Sequence, residues 1–175
     1  RFAVGDIHGR ADLLEQMLQR LEARAPEELR PTGEPVVIFL GDYVDRGRES
    51  ARVLDMLIGG RPAGYERRFL RGNHEQSMLA FIDDPVPNRA WLMHGGNETL
   101  LSYGVQPPSP LYAKDEDWIA AAEQLRERAP PAHIKFLREL ERYIAIGDHV
   151  FVHAGIDPAR PLAKQTDQVD PRAVS

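Results

Sequence analysis

The chain has 175 residues, 42% hydrophobic and 28% charged, with a formal net charge of −5 and a pI near 5.7. That balance suits one globular domain with a real core, expected over residues 1–175. It excludes a helical membrane span, which needs roughly 18 consecutive apolar residues, excludes disulfides and thiolate ligands for want of cysteine, and supplies no basic field for nucleic acid.

The chain opens on Arg1, without an initiator methionine, and enters a strand at once, so no signal peptide is expected and the start reads as trimmed. A cytoplasmic protein is expected. Phe2-Ala3-Val4 is the first strand and delivers Gly5-Asp6-Ile7-His8-Gly9. Leu13, Leu14, Met17, Leu18 and Leu21 mark one apolar face of a helix from about Ala11 to Arg24. Residues 25–35 hold three prolines and a glycine and read as a surface loop. Val36-Val37-Ile38-Phe39-Leu40 reads as a buried strand ending in Gly41-Asp42-Tyr43-Val44-Asp45-Arg46-Gly47. Val53, Leu54, Leu57 and Ile58 mark a second helix, stopped by Gly59-Gly60 and Pro62. A third strand over Arg67–Arg71 leads through Gly72-Asn73-His74 to a helix over Glu75–Phe81.

Three strand–turn–helix repeats in succession favour an α/β fold with a largely parallel sheet and the polar turns at one edge. Residues 88–142 differ. Helical patterns at about 97–101, 115–127 and 132–142 are broken by Pro107-Pro108-Ser109-Pro110 and Pro130-Pro131, and read as a helical insertion packed beside the sheet. Lys114-Asp115-Glu116-Asp117 suits a helix N-terminus, where carboxylates meet the dipole. Strands at Tyr143–Ile146 and Val150–Val152 form an expected hairpin. Beyond His153 the chain is polar and proline-rich, with no clear element.

The chemistry sits in the turns. In extended chain, residues i and i+2 point the same way, so Asp6 and His8 can grip one cation. Asp42, Asp45 and Arg46 crowd the turn after the central strand; the alternative is a capped turn with an internal ion pair. Asn73 offers an amide oxygen to a metal, or caps the third helix. Val150-Phe151-Val152-His153 repeats the pattern of apolar strand and then ligand, which makes His153 a candidate. His94 is a weaker one, and His133 and His149 are expected at the surface or in loops. Carboxylate, imidazole and amide donors without sulfur suit Mn²⁺, Fe or Zn²⁺. Two such ions, roughly 3.5–4 Å apart, can share a hydroxide formed at neutral pH and placed for in-line attack on phosphorus.

Gly5-Asp6-x-His8-Gly9, Gly41-Asp42-x-Val44-Asp45-Arg46-Gly47 and Arg71-Gly72-Asn73-His74-Glu75 resemble the signature blocks of the PPP-type Ser/Thr protein phosphatases, within the calcineurin-like metallophosphoesterases. Phe151-Val152-His153-Ala154-Gly155 resembles the fourth block of the bacterial members, and the segment from Trp91 through Gly95-Gly96 and Thr99-Leu100 to Ser102-Tyr103-Gly104 is similar to the small bacterial branch. The resemblance implies a four-layer α/β/β/α sandwich with two divalent ions at the sheet edge. Asp6 and His8 would hold the first ion, Asp42 would bridge, and Asn73 and His153 would hold the second. His74 would be the general acid, oriented by Asp45. Arg46 would clamp phosphate oxygens; Arg71 would assist, or else pair with a nearby carboxylate. The family has a further histidine ligand downstream, and no histidine follows His153 here. Part of the native C-terminus is therefore expected to be missing.

The resemblance implies a phosphomonoesterase for phosphoserine and phosphothreonine in proteins, since Asp45 and Glu75 stand as in the protein phosphatases. A dinucleoside polyphosphate hydrolase is the alternative enzyme; that branch usually departs at Asp45 and has Asp where this chain has Glu75. A non-catalytic phosphoprotein-binding module is the alternative outside catalysis, and the intact Asp6, His8, Asp42, Asn73 and His74 argue against it.

Overall fold

A computed structural model describes residues 1–24, 35–157 and 160–161. Most of the loop expected over 25–35, and most of the polar tail beyond His153, lie outside the described residues.

The central strand explains the rest. All four residues of Val36–Phe39 (β2) are buried, as expected of a continuous β-branched and aromatic run covered on both faces. β2 pairs in parallel with Phe2–Val4 (β1) in the register Ala3 opposite Ile38, and with Glu66–Phe69 (β3) in the register Ile38 opposite Arg68. The sheet order is β1-β2-β3. Parallel pairing needs crossovers, and these are the helices Ala11–Glu22 (α1) and Ser50–Ile58 (α2). Asn73–Asp83 (α3) follows β3. The expected α/β architecture with its parallel sheet is present.

The pleat sends alternate β2 residues to opposite sides. Val37 and Phe39 join the large core with Leu14, Leu18, Val53, Leu54 and Leu57. Those helical residues recur three or four apart, the spacing of a single buried face. Leu13, expected on that face, is 50% exposed, because the packed stripe follows Leu14, Leu18 and Leu21. Val36 and Ile38 point the other way, against Leu70 and Ile144. Ile144 belongs to Ile144–Ile146 (β4), which pairs antiparallel with His149–Phe151 (β5). This is the expected hairpin. Helices, parallel sheet and hairpin thus form successive layers; an outer helical layer beyond the hairpin has no counterpart among the described residues.

Residues 88–142 contribute a 3-10 helix at Arg89–His94 and helices Gly96–Ser102 (α4), Asp115–Arg128 (α5) and Pro131–Glu139 (α6). Trp91, Leu100, Trp118 and Leu125 bury in the same core cluster as Phe39. The Asp117 carboxylate accepts the Lys114 N–H at 2.8 Å and so starts α5, as its acidic sequence predicts. His133 corrects its expected surface position. α6 packs against α2, which leaves His133 only 3% exposed, between the Tyr103 hydroxyl at 2.9 Å and the Asp55 carboxylate at 3.0 Å. No helix among the described residues is long and apolar enough to cross a membrane.

Candidate metal centre

The three turns after β1, β2 and β3 meet at one sheet edge. Backbone bonds join the first two: Ile7 and His8 N–H donate to the Asp42 carbonyl at 3.0 and 2.9 Å, and Gly9 N–H donates to the Tyr43 carbonyl at 2.9 Å. The second and third approach closely at Gly72, where a Cβ would collide with the Asp42 carboxylate. His8, Asp42, Asp45 and Arg46 have φ of 46°, 53°, 73° and 64°. Left-handed backbone costs roughly 1–2 kcal/mol per non-glycine residue. That cost is borne where the turns must aim side chains inward.

His8, Asp42 and His74 form one group of converging donor atoms, and Asp6, Asp42 and His153 form another, each within 4.8 Å. Asp42 is common to both, as a bridging carboxylate would be. His8 Nε2 stands 3.8 Å from both the Asp6 and the Asp42 carboxylate; His153 Nε2 stands 3.4 Å from Asp42 Oδ1 and 3.2 Å from Asn73 Oδ1. Both imidazoles are fixed from behind. His8 Nδ1–H donates to the Val44 carbonyl at 3.1 Å, and His153 Nδ1–H to the Leu40 carbonyl at 2.7 Å. Each Nε2 lone pair then faces the carboxylates, the tautomer that metal-ligating histidines adopt. His8 Nε2 is buried with no hydrogen-bond partner. An orphaned imidazole nitrogen between two carboxylates fits a divalent cation. In the cation-free protein the bond to Asp42 instead pushes His153 up to about 9, against the opposing effect of burial. A metal has to displace that proton.

Asn73 does not cap α3. Gly72 occupies the N-cap and Asn73 is the first helical residue, which leaves the Asn73 amide free to reach His153.

His74 is set apart by Asp45. Asp45 is fully buried, and its Oδ2 accepts His74 Nδ1–H at 2.7 Å. Arg46, exposed, donates to His74 Nε2 at 3.4 Å, and the same nitrogen lies 3.9 Å from Asp42. The bond to Asp45 raises the His74 pKa; burial opposes it, and Asp42 adds to the rise. Asp45 has two more donors: Trp91 Nε1–H to Oδ2 and the Thr99 hydroxyl to Oδ1, both at 2.7 Å.

Glu75 is fully buried, and every lone pair it turns to the turns is used. Oε2 accepts the N–H groups of Asp42 and Gly72, both at 2.9 Å; Oε1 accepts those of Tyr43 at 2.7 Å and Val44 at 3.2 Å. Burial pushes its carboxyl up to about 7, with Asp42 adding to the rise and the N–H donors opposing it.

The sequence-predicted residues Asp6, His8, Asp42, Asp45, Arg46, Asn73, His74 and His153 are therefore brought together. Arg71 turns elsewhere: its Nη2 donates to the Arg138 carbonyl at 3.0 Å, so its partner is a backbone oxygen and not a carboxylate. His94 is exposed at the end of the 3-10 helix, in the wall of an open cleft of about 560 Å³ that Arg46 also lines, and belongs to neither donor group. His149 is exposed on β5, as expected. The supporting roles of Glu75, Trp91 and Thr99 were not read from the sequence, although all three lie in recognised motifs. Nothing in residue order tells a side chain that touches substrate from one that braces it.

The family model for calcineurin-like phosphoesterases matches residues 2–169. A symmetrical bis(5'-nucleosyl)-tetraphosphatase from Janthinobacterium sp. (strain Marseille) is 29% identical over 158 residues, which are 90% of this chain and 44% of that protein. The chain thus spans less than half the length of this curated relative.

Proposed function

The chain belongs to the calcineurin-like phosphoesterases, and on that premise we propose that it is a metal-dependent phosphomonoesterase for phosphoserine and phosphothreonine in proteins. One observation carries the reading: buried Asp45 holds His74 Nδ1–H at 2.7 Å and leaves Nε2 on the open side, beside Arg46. A serine or threonine alkoxide is a poor leaving group and needs a proton as its bond to phosphorus breaks. A nucleotide leaving a phosphoanhydride is already a stabilised anion and needs less help. A pair built to hold and deliver a proton therefore suits an alkyl phosphate.

In this reading Asp6, His8, Asp42, Asn73 and His153 hold two divalent cations, with Asp42 shared and Mn²⁺ the preferred ion for such O/N donors. When bound, the ions supply a nucleophile at neutral pH and offset charge on the phosphate. Arg46 leaves His74 Nε2 and receives phosphate oxygens with its planar fork. His74 Nε2, freed of Arg46, takes a proton from solvent to form the imidazolium that Asp45 stabilises, and then passes that proton to the departing oxygen, returning to neutral imidazole. Arg71 joins the phosphate pocket only by giving up the Arg138 carbonyl.

A second reading is dinucleoside polyphosphate hydrolysis, favoured by the name of the 29% identical relative. The full-length protein with Mn²⁺, offered a phosphoserine peptide and diadenosine tetraphosphate side by side, separates the two. Faster turnover of the peptide supports the first reading; cleavage of the dinucleotide alone rejects it. Failure to turn over the peptide, the dinucleotide and p-nitrophenyl phosphate alike, with any divalent metal, would reject the enzyme reading altogether.

A further inference from the structure

The segment Trp91–Thr99 hydrogen-bonds both Asp45 and Arg46, the two residues on the substrate side of the site. Trp91 Nε1–H and the Thr99 hydroxyl each donate to Asp45 at 2.7 Å. The Thr99 proton is thereby committed to Asp45, so in the 2.9 Å contact between Ser50 and Thr99 the Ser50 hydroxyl is the donor. The same two hydroxyl oxygens accept the Asp45 backbone N–H, at 3.1 Å for Ser50 and 2.9 Å for Thr99. Asp45 is thus fixed at both carboxylate oxygens and at its amide. The two glycines between Trp91 and Thr99 are seats. A Cβ on Gly96 would enter the Trp91 indole at 2.6 Å, and one on Gly95 would meet the Arg46 nitrogen at 2.6 Å.

We propose that Trp91 and Thr99 are positioning residues for proton delivery: they hold the Asp45 carboxylate so that it presents one lone pair to His74 Nδ1–H. Their function is separate from metal binding, which rests on the turns braced by Glu75. The inference rests on the reading of His74 as general acid. Its physical basis is competition for lone pairs. With Trp91 and Thr99 donating, the carboxylate has one orientation. Without either, it can rotate or admit water, and the imidazole loses its fixed direction. Comparable supporting contacts cost about 10–100-fold in activity when removed.

The test uses full-length protein with two variants, Trp91→Phe, which keeps the ring and deletes the donor, and Thr99→Val, which deletes one hydroxyl. Two readouts are taken: the rate on a phosphoserine peptide divided by the rate on p-nitrophenyl phosphate, whose leaving group departs without a proton, and the NMR resonance of the His74 Nδ1 proton. The ratio should fall at least about tenfold and the resonance should shift and exchange faster with water, while both metal ions stay bound. Thr99→Ser should restore both readouts. An unchanged ratio, an unmoved resonance, or loss of metal in either folded variant overturns the inference. A wild-type protein that cleaves diadenosine tetraphosphate and no monoester overturns the functional reading instead, and the resonance then decides the positioning role by itself.

Discussion

Glu75 reaches across from α3 to hold Asp42 by its backbone: Oε2 accepts the Asp42 N–H at 2.9 Å and, with it, the Gly72 N–H. One carboxylate so joins the turn after β2 to the turn after β3. Glu75→Gln keeps the shape and removes one acceptor oxygen, because an amide NH₂ cannot accept. Two of the four N–H groups then face a donor in a dry site, at a cost of about 1–3 kcal/mol for each. The expected outcome is a lower denaturation midpoint together with weaker metal binding by titration. A variant with wild-type stability and metal affinity would show that the Glu75 bonds do not hold the turns.

Asp42 and Asp45 sit three residues apart in one turn and should fail differently. Asp42 faces His8, His74 and His153, so Asp42→Asn should lose bound metal. Asp45 faces His74 Nδ1, Trp91 and Thr99, all at 2.7 Å, so Asp45→Asn should keep its metal and lose turnover. Metal content by elemental analysis beside kcat checks the pair. Equal metal loss in both would break the division of labour.

In the proposed reading His74, bonded to Asp45 through Nδ1, is an acid and not a ligand. His74→Asn should therefore retain both ions and slow hydrolysis of a phosphoserine peptide by a factor on the order of 10²–10⁴. The loss should be smaller on p-nitrophenyl phosphate. Full activity on the peptide would remove His74 from the chemistry.

The parallel sheet and the polar residues that converge at its edge were legible because their signals are local. β2 announces itself as an apolar run, and Asp6, Asp42, Asn73 and His153 each follow a strand directly. What was illegible depends on distance in sequence. His133 reads as a surface histidine until Tyr103 and Asp55 arrive from 30 and 78 residues away. Trp91 and Thr99 reach Asp45 across 46 and 54 residues. Asn73 looked equally like a helix cap and a ligand, and only the start of α3 at Asn73, with Gly72 as the cap, separates them.

Removing the metal should reverse the ordinary pH dependence of stability. In the cation-free protein Glu75 moves from 4.5 to about 7, burial being the first cause, and His153 moves from 6.5 to about 9, its bond to Asp42 being the first. Both folded-state values lie above the unfolded ones, so the folded chain holds more protons than the unfolded chain. Stability is then greatest below the unfolded values and falls as pH rises, through about 4.5–7 for Glu75 and 6.5–9 for His153. The lowered pKa of Asp42 acts only in acid, below this window. Protein treated with a chelator should show a urea midpoint that declines from pH 5 to pH 9. Added Mn²⁺ should raise the midpoint most at the alkaline end, where no proton competes for His153. A flat or rising midpoint in chelator would contradict the assignment.

Gly95 offers the cleanest separation of substrate binding from chemistry. Its φ of +108° is a conformation that side chains rarely adopt, and its carbonyl accepts the Arg46 N–H at 3.1 Å. A Cβ at this position would stand 2.8 Å from Arg46 Cγ. Gly95→Ala therefore displaces Arg46, the proposed phosphate-binding residue, without touching His8, Asp42 or His153. A mispositioned guanidinium loses bidentate contact with the phosphate, which is bound in the ground state as well as during reaction. KM for p-nitrophenyl phosphate should rise about tenfold, with weaker inhibition by inorganic phosphate to match, since one charge-assisted hydrogen bond contributes about 1.5–3 kcal/mol. Metal content should stay at the wild-type level. An unchanged inhibition constant for phosphate in the folded variant would mean that Arg46 does not depend on Gly95 for its place, and that the seat seen between them has no part in substrate binding.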